Sequence, residues 1–149
     1  MPGAVDFLQQ VDKKGLAIFY VSNRYAPVNY EATEANLKAL HFPQADKKHI
    51  LLMEKSSNKQ LRFDTITPDY DVVVYMGDNA GDLPIGTNGK SLTERNQIVD
   101  AHKADFGTKY IVFPNPVYGA WVSAIAKNYL TMTPEQRDEV NREFLTKTY

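Results

Sequence analysis

The sequence predicts an α/β fold with a mostly parallel sheet, on three observations. Four short apolar runs, 16–21, 50–53, 72–76 and 109–113, are strand-length and rich in β-branched or aromatic residues. Segments with helical apolar spacing separate them, and that alternation implies right-handed βαβ units. The polar clusters all follow the apolar runs. In a parallel sheet such loops emerge at one edge and converge on the crevice where open α/β sheets bind ligands.

In order along the chain, residues 3–14 predict an amphipathic helix, with Val5, Leu8 and Val11 on one face and Gly15 as its stop. Residues 16–21 then read as a buried strand ending in Ser22-Asn23-Arg24. Ala32, Ala35, Leu37 and Leu40 give a helix over 30–40. The run 50–53 is a strand that leads into the polar stretch 54–59. A short helix over 59–66 and a turn at Pro68 precede the strand 72–76. Residues 91–104 form a helix opened by a capping box, Ser91 with Glu94 three residues on. The strand 109–113 leads into the loop 114–119. Helices over 120–130 and 134–146 close the chain, the second started by Thr133-Pro134-Glu135-Gln136.

With 149 residues the chain reads as a single domain over 1–149 with room for a buried core. Its formal net charge is −1 and no Lys/Arg-rich block stands out, which argues against a nucleic-acid polymer as partner. The absence of Cys excludes disulfides, thiolate zinc sites and Cys nucleophiles. No run approaches the roughly 18 apolar residues of a membrane helix, so no membrane contact is expected of this chain itself. The first residues carry neither the basic nor the apolar region of a signal peptide.

The segment 72–82 is the most informative. A short apolar run passes straight into Gly77-Asp78-Asn79-Ala80-Gly81-Asp82 and so sets two carboxylates just past a strand end. Carboxylates there are either turn and helix caps or ligands for a hard cation such as Mg²⁺. Ser22 either caps a turn or offers a hydroxyl and neighbouring N–H groups to a phosphate oxygen. Lys59 is either a solvated charge or a point charge against phosphate. Tyr118 either packs into the core or presents an aromatic face to a substrate ring. His41, His49 and His102 share no ligand spacing and read as structural or surface residues.

Together these pieces resemble the class C (subclass IIIB) acid phosphatases of the haloacid dehalogenase (HAD) superfamily, the bacterial lipoprotein-type nonspecific acid phosphatases and 5′-nucleotidases. The resemblance runs through Pro2-Gly3-Ala4-Val5, Phe19-Tyr20-Val21-Ser22-Asn23-Arg24 and Ser57-Asn58-Lys59 with Arg62-Phe63. It continues through Gly77-Asp78-Asn79 with Asp82, and Pro114-Asn115 with Tyr118-Gly119 and Trp121. It implies a HAD-like Rossmannoid three-layer sandwich. Ser22 would hydrogen-bond the transferring phosphoryl group, and Lys59 would offset charge on nucleophile and phosphate. Asp78 would bind Mg²⁺, with Asp82 in or just behind its shell. Asn23, Arg24, Asn79 and Tyr118 would contact a phosphomonoester, either a nucleoside monophosphate or an aromatic phosphate. Relatives are exported, which sets the expected localisation.

One departure weighs against these agreements. In the family an Asp-x-Asp-x-Thr motif on the first, central strand supplies the nucleophile that forms an aspartyl-phosphate and the general acid–base. This sequence contains no such motif. Asp69-Tyr70-Asp71 imitates it but precedes the strand that carries Asp78 and is read as a decoy. The resemblance therefore implies a domain that is N-terminally incomplete and lacks the central strand. The strands ending at Ser22 and Asp78 would have to pair with each other or leave backbone groups unpaired. The expected function is a Mg²⁺-dependent phosphomonoesterase of which this chain alone is inactive or weakly active. The alternative is a non-catalytic phosphate- or nucleotide-binding module, or a fragment that needs a separately supplied N-terminal segment.

Overall fold

In a computed structural model that describes residues 1–115 and 117–147, the chain forms two compact units, Met1–Thr65 and Ile66–Tyr149. Each contains one two-stranded parallel sheet whose strands are joined through a helix. The α/β class and the parallel pairing are as the sequence predicts, but the strands form two sheets.

In the first unit, α1 (Ala4–Lys13) ends at Gly15 as expected. β1 (Tyr20–Tyr25) pairs with β2 (Ile50–Met53), and α2 (Ala26–Ala39) connects them. Ala45, Ile50 and Leu52 are buried under Tyr20, Ala26, Tyr30 and Leu37, so the core lies between α2 and the strand pair. α3 (Gln60–Ile66) follows, with Phe63 buried, and its last residue, the buried Ile66, is the first of the second unit.

Two boundaries differ from the sequence reading. The ladder of β1 begins at Tyr20 rather than at Leu16, because β2 starts only at Ile50 and offers the earlier residues no partner. Ile18 N–H bonds instead to the side-chain Oε1 of Gln44 at 2.9 Å. β1 also runs on through Ser22-Asn23-Arg24, which therefore lie in the strand and not past it. Four residues earlier than expected, α2 begins at Ala26, with Pro27 in its first turn where a missing N–H costs nothing.

In the second unit, β3 (Tyr75–Gly77) pairs with β4 (Tyr110–Val112) through α4 (Leu92–Ala101). Leu83, Ile85 and Tyr110 are buried, with Tyr75, Ile98, Val99 and Phe106 packed on them. The capping box that opens α4 is present in full, with Ser91 Oγ accepting Glu94 N–H and the Glu94 carboxylate accepting Ser91 N–H. A short α5 (Ala120–Ile125) and α6 (Pro134–Lys147) complete the described chain. The helix expected over 120–130 stops at Ile125 because Ala126 is extended and Asn128 adopts the left-handed conformation that Asn tolerates.

The expected buried strand over 72–76 is corrected to a three-residue, half-exposed one. β4 supplies only three ladder partners, and Val73 and Met76 remain 67% and 40% exposed. Among the described residues β1 has β2 as its sole strand partner and β3 has β4, so each keeps one open edge.

Candidate active site

The turn after β3 is built around Asp82. Its Oδ2 accepts the backbone N–H of Asp78 at 3.1 Å, while its own N–H bonds to Asn79 O at 2.9 Å. That closure requires glycine at position 77, since a Cβ there would stand 2.6 Å from Asp82 Oδ2. Asp78 is exposed, and its Oδ2 accepts from Asn115 Nδ2 at 2.9 Å.

Asn115 stands just past β4. Its Oδ1 accepts the N–H groups of Val117 (3.1 Å) and Tyr118 (3.3 Å), the Asx geometry that shapes short loops. One side chain therefore ties the loop after β3 to the loop after β4, as the sheet topology requires of neighbouring parallel strands. Tyr118 is 69% exposed, with its ring presented rather than packed. Pro116, part of the predicted 114–119 loop, lies outside the described residues.

Asn79 is nine-tenths buried. Its Oδ1 accepts Gly81 N–H and Arg95 Nη2, each at 2.9 Å, while its Nδ2 has no hydrogen-bond partner.

The first unit holds the other predicted residues. The register slips between Ser22 and Tyr25, so Asn23 and Arg24 bulge out of the ladder and are exposed. Ser22 Oγ accepts Arg24 N–H at 3.3 Å, which braces the bulge and leaves the hydroxyl proton to donate. Arg24 turns its Nη1 to the buried Thr33 Oγ1 of α2, at 3.3 Å.

Lys59 is half-buried at the start of α3, where its carbonyl accepts the N–H groups of Arg62 (2.9 Å) and Phe63 (3.1 Å). Arg62 donates through Nη2 to Asn23 Oδ1 and through Nη1 to Ser56 O at 3.2 Å, so it ties the loop after β2 to the bulge of β1. Burial lowers the pKa of Arg62, but a guanidinium stays charged at any physiological pH.

Among the described residues no cluster of three or more His, Asp and Glu could cage a metal. Asp78 and Asp82 are a two-carboxylate, oxygen-only donor set. That set suits a cation such as Mg²⁺, which keeps several waters and takes one or two carboxylates. Asp69 and Asp71 precede β3, at the end of the strand opposite Asp78. His49 and His102 pair locally with Asp46 (2.8 Å) and Asp105 (3.8 Å).

Three positions that organise these loops were not singled out as site residues from sequence: Asn115, Arg62 and Arg95. For Arg95 a signal existed. It lies three and four residues before Ile98 and Val99 and three after Leu92, so the helical stripe carries a cation where an apolar residue is expected. Asn115 and Arg62 act over 37 and 39 residues of separation, which no local spacing rule reads.

Comparison with known proteins accords with this architecture. The model of the HAD superfamily, subfamily IIIB (acid phosphatase), matches residues 1–121. The fold is similar to that of the class C acid phosphatase from Bacillus anthracis, at 38% identity and a TM-score of 0.90 over 96% of this chain and 60% of that one. A tungstate-bound crystal structure of a class C acid phosphatase from the same organism matches at 39% identity and a TM-score of 0.91, with the same coverage. The chain thus spans 60% of the length of the solved structures it matches. A match over residues 1–121 and a shared fold at 38% identity make this chain a member of the subfamily IIIB acid phosphatases of the HAD superfamily.

Proposed function

We propose that this chain carries the phosphate-binding and cation-binding parts of a Mg²⁺-dependent phosphomonoesterase. The observation that carries the reading is the Asp78 carboxylate, exposed past the end of β3 and held through one oxygen by Asn115. Its other oxygen remains for a cation. Tungstate, which a relative binds, is a tetrahedral oxyanion like phosphate, and this supports a phosphate-shaped ligand.

In this reading Asp78 binds the cation, Asp82 keeps the turn closed around it, and Asn115 fixes the carboxylate rotamer. Ser22 donates its hydroxyl proton to a phosphoryl oxygen, with Asn23 and Arg24 beside it in the bulge. Lys59 places positive charge against the anion. Tyr118 offers its exposed ring to the base or aryl group of a nucleoside monophosphate or aromatic phosphate. A bound Mg²⁺ would stabilise negative charge on the phosphoryl oxygens. With no Asp-x-Asp-x-Thr motif in the sequence, the covalent route through an aspartyl-phosphate is closed to these residues alone, so turnover by this chain is slow or absent.

The test is hydrolysis of a chromogenic phosphate ester by the purified 149-residue chain, with and without Mg²⁺. A rate at background supports the reading. Robust Mg²⁺-dependent turnover that Asp78→Asn abolishes overturns the inactivity it expects.

A second reading rests on the open edges of β1 and β3. An isolated two-stranded sheet is marginally stable, and an open edge is a template for a further strand. The chain would then reach its working form with a separately supplied strand. A melting transition that sharpens when a strand peptide bearing Asp-x-Asp-x-Thr is added favours it. An unchanged melt removes it.

A further inference from the structure

Behind the Asp78–Asp82 turn lies a charge with no part in the function proposed above. Arg95 is only 5% exposed, on the face of α4 that Ile98 and Val99 otherwise make apolar. Its guanidinium makes two hydrogen bonds, both to neutral oxygens: Nη1 to Thr87 O at 3.0 Å and Nη2 to Asn79 Oδ1 at 2.9 Å. No carboxylate pairs with it among the described residues. A buried cation is costly, and one without a counter-ion is more so. Its bonding therefore indicates what it is kept for.

The bond to Asn79 selects one orientation of a carboxamide. With Oδ1 toward Arg95, the same oxygen also accepts Gly81 N–H at 2.9 Å and closes the turn. The reversed amide would lose both bonds and set an NH₂ group against a cation. The selected orientation has a consequence on the other side. Nδ2 is left without a hydrogen-bond partner and lies 2.5 Å from where a Cβ on residue 119 would stand, a contact that glycine avoids. Gly119 also holds φ at +138°, which other residues rarely adopt. That same Cβ position is 3.3 Å from the Trp121 ring, and Trp121 Nε1 donates to Tyr118 O at 3.1 Å. Asn79 thus abuts both the turn that carries Asp78 and the loop that carries Tyr118.

We propose that Arg95 is a positioning residue. Through Asn79 it locks the 78–82 turn and the 118–121 loop in one arrangement, so that the Asp78 carboxylate and the Tyr118 ring are presented together. Asn79 is then part of this lock rather than a substrate contact. The inference rests on the reading of Asp78 and Tyr118 as site residues. Burial lowers the pKa of Arg95, in keeping with a charge held away from water for its directional bonds.

The test compares wild type, Arg95→Met and Arg95→Lys by amide hydrogen exchange, with Mg²⁺ titration calorimetry alongside. Arg95→Met is expected to speed exchange at Gly81 by about tenfold or more while α6 and β4 amides keep their wild-type rates. Mg²⁺ affinity should fall in parallel. Lys restores the charge but not the two-pronged geometry, so Arg95→Lys should lie between the two. Unchanged exchange at Gly81 in a folded Arg95→Met protein overturns the proposal, as does a rise spread evenly over the second unit. If Arg95→Met does not fold, Arg95→Lys decides: faster exchange confined to the turn supports the lock, and wild-type exchange overturns it. If wild type binds no Mg²⁺, the cation-site reading fails, and exchange at Gly81 still decides whether Arg95 holds the turn.

Discussion

Replacement of Gly77 by Ala tests the local geometry at its tightest point. The new Cβ would press on Asp82 Cβ and stand 2.6 Å from its Oδ2, so the turn has to shift at Asp82 and not only swing its carboxylate away. Forcing an extra methyl into such a contact costs about 1–3 kcal/mol. Loss of the bond from Asp78 N–H to Asp82 Oδ2 adds about 1 kcal/mol, below the usual range for a charged acceptor because Asp82 is half-exposed. The stiffer unfolded chain returns about 0.4–1 kcal/mol. The net is about 2 kcal/mol, or a melting temperature lower by about 4–8 °C for a chain of this size.

The discriminating assay is a double-mutant cycle with Asp82→Gly, which removes both the Cβ and the carboxylate that face residue 77, followed by chemical denaturation. Asp82→Gly alone loses the hydrogen bond and costs about 1 kcal/mol or more. With the Asp82 Cβ and carboxylate both gone, adding Gly77→Ala should cost almost nothing, so the two changes should show a coupling of about 2 kcal/mol. Additive losses, within about 0.5 kcal/mol, would refute the close approach of Asp82 to Gly77 as the reason for the glycine.

Other predictions are simpler. Ser91→Ala removes the hydroxyl half of the capping box and should cost about 1 kcal/mol, read as a shifted denaturation midpoint with unchanged slope. Stability should also fall in acid. Hydrogen bonds from Ser91, then Lys90, hold Glu94 below the usual carboxylate range, and the His49 side chain does the same to Asp46. Both folded-state values lie under the unfolded ones, so the stability these groups confer is complete above about pH 4.5 and is lost as pH falls through the folded values. Glu94→Gln should flatten the part of the midpoint-versus-pH curve below about pH 4.5, and an unchanged curve would exclude Glu94 as a contributor. Arg62→Met should loosen residues 22–24 and 54–59 together, seen as faster proteolysis of both loops; cleavage of one loop alone would argue against the tie.

Local rules carried much of the fold. The capping box at Ser91 and Glu94, the stop at Gly15 and the run 50–53 are set by neighbours in sequence, and each appears where expected. What failed was strand extent. Leu16 to Phe19 and Val72 to Val74 are as apolar as any strand, but a ladder is as long as its partner, and β2 and β4 are short. Apolar content encodes a preference for burial, not the presence of a neighbour.

The site was legible in a similar, partial way. Asp78 and Asp82 announce themselves by their position after an apolar run, whereas the Asn115 bridge spans 37 residues and is fixed only when the strands align. Asn79 was read through the resemblance as a substrate contact, and no local spacing rule shows its burial or its bond to Arg95, which arise only when α4 packs against the turn.

The most direct test of the central claim is Mg²⁺ titration calorimetry of wild type against Asp78→Asn, with inorganic phosphate present and with matched melting curves. Asn keeps the shape of the side chain and removes its charge. Saturable Mg²⁺ binding by wild type, weakened about tenfold or more by Asp78→Asn in an equally stable protein, is the result expected of Asp78 as the cation-binding carboxylate. Equal binding by the two proteins, or none by wild type, would contradict it.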